Sequence, residues 1–201
     1  LRDLADFDDD AVARPSRLGG WSVGHVLAHI DQQGRSLIRL IDAAEAGSIA
    51  DQYEGGMPAR TAAIEELAGR TAAEHLEAIR RSIYEFEGRV ARATVAWSGR
   101  ARMVTGIEIP IADLPFRRWR EVEVHAVDLG LRAAGTSDWS WWSADYVRED
   151  LRVLSMQYTA RASMGRAELP ESVRRRDERE RLAWLLGRLD IEGCEPARIM
   201  G

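Results

Sequence analysis

Lysine is missing from this sequence: all 28 of its basic residues are arginine. Arginine codons are mostly GC-rich and lysine codons are not, so a GC-rich genome accounts for the bias without any functional reading. Cysteine is nearly absent as well. With Cys194 alone, an intrachain disulfide is impossible and a reducing compartment is expected. Glu192 and Glu195 flank that thiol and would raise its pKa, so it makes a poor nucleophile. No apolar run approaches the roughly 18 residues of a membrane span, and no charged-apolar-small signal opens the chain. We therefore expect a cytoplasmic protein with no membrane partner. The first residue is Leu1, not Met, so a few residues are expected to precede it. A basic excess is also missing. Net charge of −5 and a pI near 5.5 argue against a nucleic-acid partner. The run from Arg174 to Arg181 mixes both signs and reads as a solvated helix face.

What is present is ordinary globular material. The chain has 201 residues, 45% hydrophobic and 30% charged, enough for one sizeable core or for a core with an appendage. Residues 2–13 are acidic and weakly periodic, the end of a first helix. Pro15 to Gly20 is a turn, and Ser22 is an N-cap opening a helix to about Ala46, where Gly47 stops it. Val23, Val26, Leu27, Ile30, Leu37, Ile38 and Ile41 form its apolar stripe. Residues 47–58 read as a flexible connection. Residues 59–97 are helical again, broken near Gly69, with Thr71 and Glu74 at capping-box spacing. Residues 98–114 read as a loop with a strand-like edge. A helix then runs from Pro115 to Leu131. Three tryptophans, Trp139, Trp141 and Trp142, precede a helix at 143–162 and would dock a terminal segment or line a pocket. Residues 163–172 are a loop. The charged run from Glu171 opens a last helix, whose apolar face is Leu182–Leu189. The pattern is all-α.

The chemistry concentrates between Arg117 and Leu129. At about 100° per residue, Glu121 and His125 lie roughly 40° apart on one helix face, and Asp128 falls beside them. Arg117 and Arg118 share that polar side, while Trp119, Val122, Ala126 and Leu129 lie on the other. Glu123 points about 160° from His125 and is excluded. On the earlier helix His29 flanks the apolar stripe, whereas His25 turns about 40° further towards solvent. His29 is thus the inward candidate. His25 and Gln33, one turn either side of it, are candidate outer partners that orient it, and Asp128 is the same for His125. His75, between Glu74 and Glu77, reads as a surface residue. Two imidazoles and a carboxylate suit a divalent ion, typically zinc, with a position left open for chemistry. A helix-surface pair beside a boundary histidine is the bland alternative, since E-x-x-x-H is a loose pattern.

Pro15-Ser16-Arg17-Leu18-Gly19-Gly20-Trp21-Ser22-Val23-Gly24-His25-Val26-Leu27-Ala28-His29-Ile30, followed by Leu114-Pro115-Phe116 and Arg120 through Leu129, resembles the mycothiol-dependent maleylpyruvate isomerase family. That family's N-terminal domain belongs to the wider DinB-like superfamily. The resemblance covers roughly residues 1–132. It implies an up-down-down-up four-helix bundle whose divalent metal, usually zinc, is held by His29, Glu121 and His125. Residues 133–201 would form a short, mostly helical C-terminal extension, where the family isomerase has a small α/β domain. Within it, Trp184-Leu185-Leu186-Gly187-Arg188 resembles a segment common in the family, which makes Arg188 a candidate to hold a substrate carboxylate. The sequence departs from the family at Asp31-Gln32-Gln33-Gly34, where a basic residue followed by Asn is more usual.

The function implied is a metal-dependent isomerase that uses a low-molecular-weight thiol, mycothiol, on a small electrophile. The alternatives are a mycothiol S-transferase and a metal-binding or ligand-binding bundle without turnover. Arg117, Arg118 and Arg120 are further candidates to meet anionic groups. A monomer or homodimer is expected.

Overall fold

The computed structural model describes residues 4, 7–130, 138–161, 168–197 and 199. The chain divides into two compact units, Leu1–Leu131 and Arg132–Gly201. Among the described residues no helix is long and apolar enough to cross a membrane.

In the first unit, α1 (Asp9–Ala13) is a single short turn whose cap is the Asp8 carboxylate, accepting from the Ala11 amide at 2.7 Å. α2 (Val23–Glu45) is the central element. Ser22 caps it as expected, and its buried positions follow a helical period from Val23 to Ala44. α3 (Gly56–Ala68) and α4 (Ala72–Arg92) are separate helices, and Thr71 and Glu74 form the expected capping box between them. β1 (Arg100–Arg102) and β2 (Glu108–Pro110) make a small antiparallel hairpin in the predicted loop, with Ala101 and Ile109 paired and buried. α5 (Leu114–Asp128) follows, with Pro115 in its first turn. The expected end of this helix at Leu131 lies outside the described residues.

Contacts fix the helix directions. Along α4, Ser82 lies beside Gly34 and Arg89 pairs with Asp42, so α4 runs parallel to α2. Along α5, Arg118 meets Ile30 and Gln33 while Glu121 meets His29, so α5 runs antiparallel. A parallel pair followed by a reversed helix is the down-down-up part of the DinB-like up-down-down-up order, and the protein is an all-α bundle of that kind. The extra helix α3 lies antiparallel on α2, at a close approach that Gly24 permits. A Cβ there would stand 2.2 Å from the Ala68 carbonyl oxygen.

Two apolar clusters fill the unit. Leu37, Leu40, Ile41, Ala44, Phe86, Ile111 and Leu114 form one; Val12, Val23, Val26, Leu27, Ile30, Ile79 and Leu129 form the other. The predicted flexible connection at 47–58 is tied down. Gln52 is buried, donates to Ser36 Oγ at 3.3 Å and accepts from the Val104 amide at 3.1 Å.

The second unit has α6 (Ala144–Arg161), α7 (Glu171–Arg174) and α8 (Glu178–Leu185). One helix was expected from Glu171, but Asp177 starts a new one by accepting from the Glu180 amide at 2.9 Å. Trp142, Tyr146, Leu154, Val173 and Leu182–Leu186 are buried in this unit, and Trp141 is exposed. Of the predicted loop at 163–172, residues 163–167 lie outside the described residues, and Glu171 and Ser172 begin α7.

Candidate metal centre

His29, Glu121 and His125 bring their donor atoms within 4.8 Å of one another. His29 Nε2 lies 3.0 Å from Glu121 Oε2, and His125 Nε2 lies 3.2 Å from the same oxygen. The two imidazoles meet edge to face, their centroids 4.7 Å apart. In a tetrahedral zinc site, donors about 2.0–2.2 Å from the ion stand roughly 3.3 Å from each other. The spacings found here suit such an ion with little rearrangement. The donor set is also chemically apt, because borderline-soft nitrogen and hard oxygen together favour zinc and similar divalent ions.

Local structure explains why these side chains converge. α2 and α5 cross with His29 facing the i,i+4 pair on α5, so two helices supply all three donors. His125 Nδ1 lies 2.8 Å from Asp128 Oδ2, and Asp128 is almost wholly buried. A carboxylate in that place fixes the ring so that Nε2 presents its lone pair.

The electrostatics are coupled. Burial is the largest influence on Glu121 and pushes its carboxyl up, but the hydrogen bonds of His125 and His29 together outweigh it and hold the acid well below its usual range. Burial pulls His29 below the ordinary imidazole value against the attraction of Glu121. Burial acts likewise on His125, yet Asp128 and Glu121 together prevail and raise it. Without an ion, the acid is therefore a carboxylate at neutral pH, and His125 holds its proton more tightly than His29.

Other expected site residues lie elsewhere. His25 is not a partner of His29. Its Nδ1 completes the Ser22 capping box, 2.7 Å from Ser22 Oγ, and its Nε2 lies 3.2 Å from Glu65 Oε2. The ring stacks on Trp21 and serves the start of α2. Gln33 also does not reach His29; its Oε1 accepts from Arg118 Nη1 at 2.8 Å. His75 is buried rather than exposed, with Nε2 3.4 Å from the Ala68 carbonyl oxygen. Arg188 lies in the second unit, where its Nη1 donates to the Leu186 carbonyl at 2.8 Å. Glu123 accepts from Trp119 Nε1 at 3.0 Å, away from the triad.

On α5 the polar side is the one that turns inward, and of the other side only Leu129 is buried. Trp119, Val122 and Ala126 are exposed, whereas Arg118, Arg120, His125 and Asp128 are buried. This helix turns part of its polar side inward because α2 offers polar partners there. Arg118 donates to the Ile30 carbonyl at 2.7 Å as well as to Gln33, and Gly34 leaves room for it; a Cβ at Gly34 would come within 3.1 Å of Arg118 Nη2. Asp31 is buried between Arg35 and Arg70. The departure from the family at Asp31-Gln32-Gln33-Gly34 is thus used structurally in this chain.

Sequence reasoning missed Arg60 and Tyr53. Arg60 Nη2 lies 3.1 Å from His29 Nδ1, and its guanidinium lies 5.9 Å from the centre of the Trp21 ring. Tyr53, on the approach to α3, has a buried hydroxyl in electrostatic reach of Arg60 and Glu121. Both depend on how α3 lies on α2, which helical period does not reveal.

Residues 1–130 match the family described as the mycothiol maleylpyruvate isomerase N-terminal domain. A crystal structure of the mycothiol-dependent maleylpyruvate isomerase superposes with a TM-score of 0.77 at 20% identity, over 93% of this chain and 82% of that one. A histidine-to-alanine variant of the mycothiol-dependent maleylpyruvate isomerase gives 0.70 at 22% identity, over 79% of this chain. In that second match this chain spans 65% of its neighbour, just under two thirds. No curated protein gave a significant match. The structures establish likeness of fold, and the match over residues 1–130 establishes kinship: the chain belongs to the mycothiol maleylpyruvate isomerase N-terminal domain family.

Proposed function

We propose that this protein is a divalent-metal enzyme, with zinc the preferred ion, that uses mycothiol to isomerise a small electrophile of the maleylpyruvate type. The convergence of His29, Glu121 and His125 carries this reading, with His125 oriented by Asp128. Three protein donors leave an open position, the arrangement of a catalytic site and not a structural one. When bound there, the ion supplies positive charge that keeps a thiol ionised near neutral pH.

The chain's own groups have definite tasks. Glu121, held ionised, gives the site its negative oxygen. Burial holds His29 below the ordinary imidazole value, so the ring is neutral at neutral pH, with its proton on Nε2 facing Glu121 while Arg60 donates to Nδ1; that proton would have to move to Nδ1 before Nε2 could hold an ion. Asp128 accepts the Nδ1 proton of His125 and keeps that ring from turning. The Trp21 ring, edge-on to His29 at 5.7 Å, closes one side of the imidazole. In such a site the thiolate adds to one carbon of a cis double bond, the resulting single bond rotates, and loss of the thiolate returns the trans isomer. No atom is gained or lost overall.

The test is turnover. Zinc-loaded protein with mycothiol is expected to convert maleylpyruvate to its trans isomer, and neither zinc nor thiol alone is expected to suffice. A stable thioether product would identify an S-transferase instead. Zinc-loaded protein that neither binds mycothiol nor consumes maleylpyruvate or simple electrophiles with it would overturn the enzyme reading.

A further inference from the structure

At the start of α2 a second chain of side chains runs from a hydroxyl to an imidazole to a carboxylate. Ser22 Oγ lies 2.7 Å from His25 Nδ1, and His25 Nε2 lies 3.2 Å from Glu65 Oε2. The backbone settles where the protons are. The Ser22 amide donates to Nδ1 at 3.2 Å, and an amide N–H can only donate, so Nδ1 presents a lone pair. The 2.7 Å contact is then the Ser22 hydroxyl donating to the same nitrogen. The ring proton is on Nε2, which donates to the Glu65 carboxylate. A nucleophile, a base and an acid that orients the base thus stand in the order and protonation that acyl transfer requires.

A helix cap needs only part of this arrangement. Ser22 and His25 close the capping box by themselves. Glu65 comes from α3 and adds nothing to the cap; it fixes the tautomer and the tilt of the ring. Gly24 makes that possible, because it lets α3 approach α2 at Ala68, one turn beyond Glu65. Trp21 stacks on the imidazole, with centroids 6.2 Å apart and planes 27° from parallel. Ser22, His25 and Glu65 all line one cavity of about 420 Å³, whose apolar wall includes Val12 and Ala68. An oxyanion formed by attack from Ser22 Oγ would lie against the first turn of α2, where amide N–H groups have no carbonyl of their own helix. Asp9 and Arg70 also line the cavity, and Arg70 is engaged by the buried Asp31. With Asp9 and Glu65 present, the cavity disfavours an anionic ligand.

We propose that Ser22, His25 and Glu65 form a second catalytic site, which hydrolyses a small uncharged carboxylic ester. Ser22 Oγ bonds to the carbonyl carbon while its proton passes to His25 Nδ1. The bond to the alcohol oxygen then breaks, and that oxygen takes the proton from Nδ1. Water, giving its proton to the same nitrogen, next releases the carboxylic acid and restores Ser22. Ester and water become acid and alcohol, with no electron transfer and no metal. Ser22 and His25 are the catalytic residues, and Glu65 is a positioning residue that acts through His25.

The test gives 4-nitrophenyl acetate to the full chain after chelator treatment, follows nitrophenolate release and locates the acetyl group by mass spectrometry. Turnover with acetyl on Ser22 is expected in the wild type. His25→Gln keeps a side chain that completes a capping box but offers no base. Its circular dichroism should stay helical while acetylation of Ser22 slows by about 100-fold or more. Glu65→Gln should slow acetylation at saturating ester by a smaller factor and leave the half-saturating concentration unchanged, a split that a loss of folding would not give. Arg80→Gln, at a half-exposed position on α4, should behave as the wild type does. No acetyl on Ser22 in the wild type, or equally fast acetylation of Ser22 in His25→Gln, would overturn the proposal. None of these outcomes depends on zinc, so the metal reading stands or falls separately.

Discussion

After an apolar start at Val23, Val26 and Leu27, α2 divides into a polar stretch and an apolar half that are built by different rules. From Leu37 onward the buried residues are apolar, and Leu40, Ile41 and Ala44 pack with Phe86, Ile111 and Leu114. Between His29 and Ser36 the helix instead buries His29, Asp31, Gln33 and Ser36. α5 mirrors this, with Leu114 at the apolar end and Arg118, His125 and Asp128 along the polar stretch. The apolar half is held by area removed from water, which depends little on direction. The polar half is held by specific pairings, each costly to leave unmade. A buried polar band is therefore a poor source of stability and a good place for chemistry. If that contrast is correct, substitutions in the two halves should fail in different ways.

The largest effect is expected at His125. His125→Ala should lower zinc affinity by far more than the roughly 10–100-fold typical of losing an outer partner, while far-ultraviolet circular dichroism stays that of a helical protein. The reverse is expected at Leu40, in the apolar half. Leu40→Ala should cost about 2–5 kcal/mol in denaturant unfolding and leave the zinc affinity of the folded protein unchanged. If Leu40→Ala instead removed zinc, the two halves would not be separable.

Asp128→Asn comes next. It keeps the shape but loses the charge that orients His125, and chelator competition should show a loss of roughly 10–100-fold in zinc affinity. The pH dependence has a definite sign. Because Asp128 and Glu121 raise the pKa of His125 against its burial, its proton competes with zinc from above the ordinary imidazole value. Zinc affinity should therefore fall as the pH is lowered, beginning above the ordinary imidazole value of 6.5, and a flat profile would contradict the electrostatics described above.

The smallest effect is expected at the end of α2, at the half-buried Glu45. The Thr94 hydroxyl and the amides of Thr94 and Ala96 hold its carboxyl down to about 2. A depressed acid contributes stability that is present above its ordinary value of 4.5 and is lost as the pH falls towards about 2. Carbon-detected titration by NMR should find that low value, and Glu45→Gln should speed amide exchange at Thr94 and Ala96 without touching the metal site.

The same contrast explains what the sequence made legible. Caps at Ser22 and Thr71, the apolar stripe of α2 and the i,i+4 pair Glu121 and His125 are local patterns. They were readable because each depends on neighbours within one helical turn. His29 needed one more argument, its position at the edge of the stripe. The errors concern long-range packing. His25, read as an outer partner of His29, caps its own helix, and His75, read as a surface residue between Glu74 and Glu77, is buried near Ala68. The wheel of α5 separates Trp119 and Val122 from the polar residues but does not say which side is inward; that side is taken by Arg118 and Asp128 because Gln33, Gly34 and His29 receive it. Arg60 and Tyr53 had no sequence signal, since only the seating of α3 on α2 brings them to the triad. Gly24, where α3 crosses closely, was the residue that could have hinted at that seating.

The most direct test is the zinc content of purified protein after loading with zinc and removal of free ion, for the wild type and His125→Ala side by side. One zinc per chain in the wild type and little or none in the folded variant is the expected result. No bound zinc in the wild type, or equal zinc in both, would contradict the assignment of His29, Glu121 and His125 as the metal site.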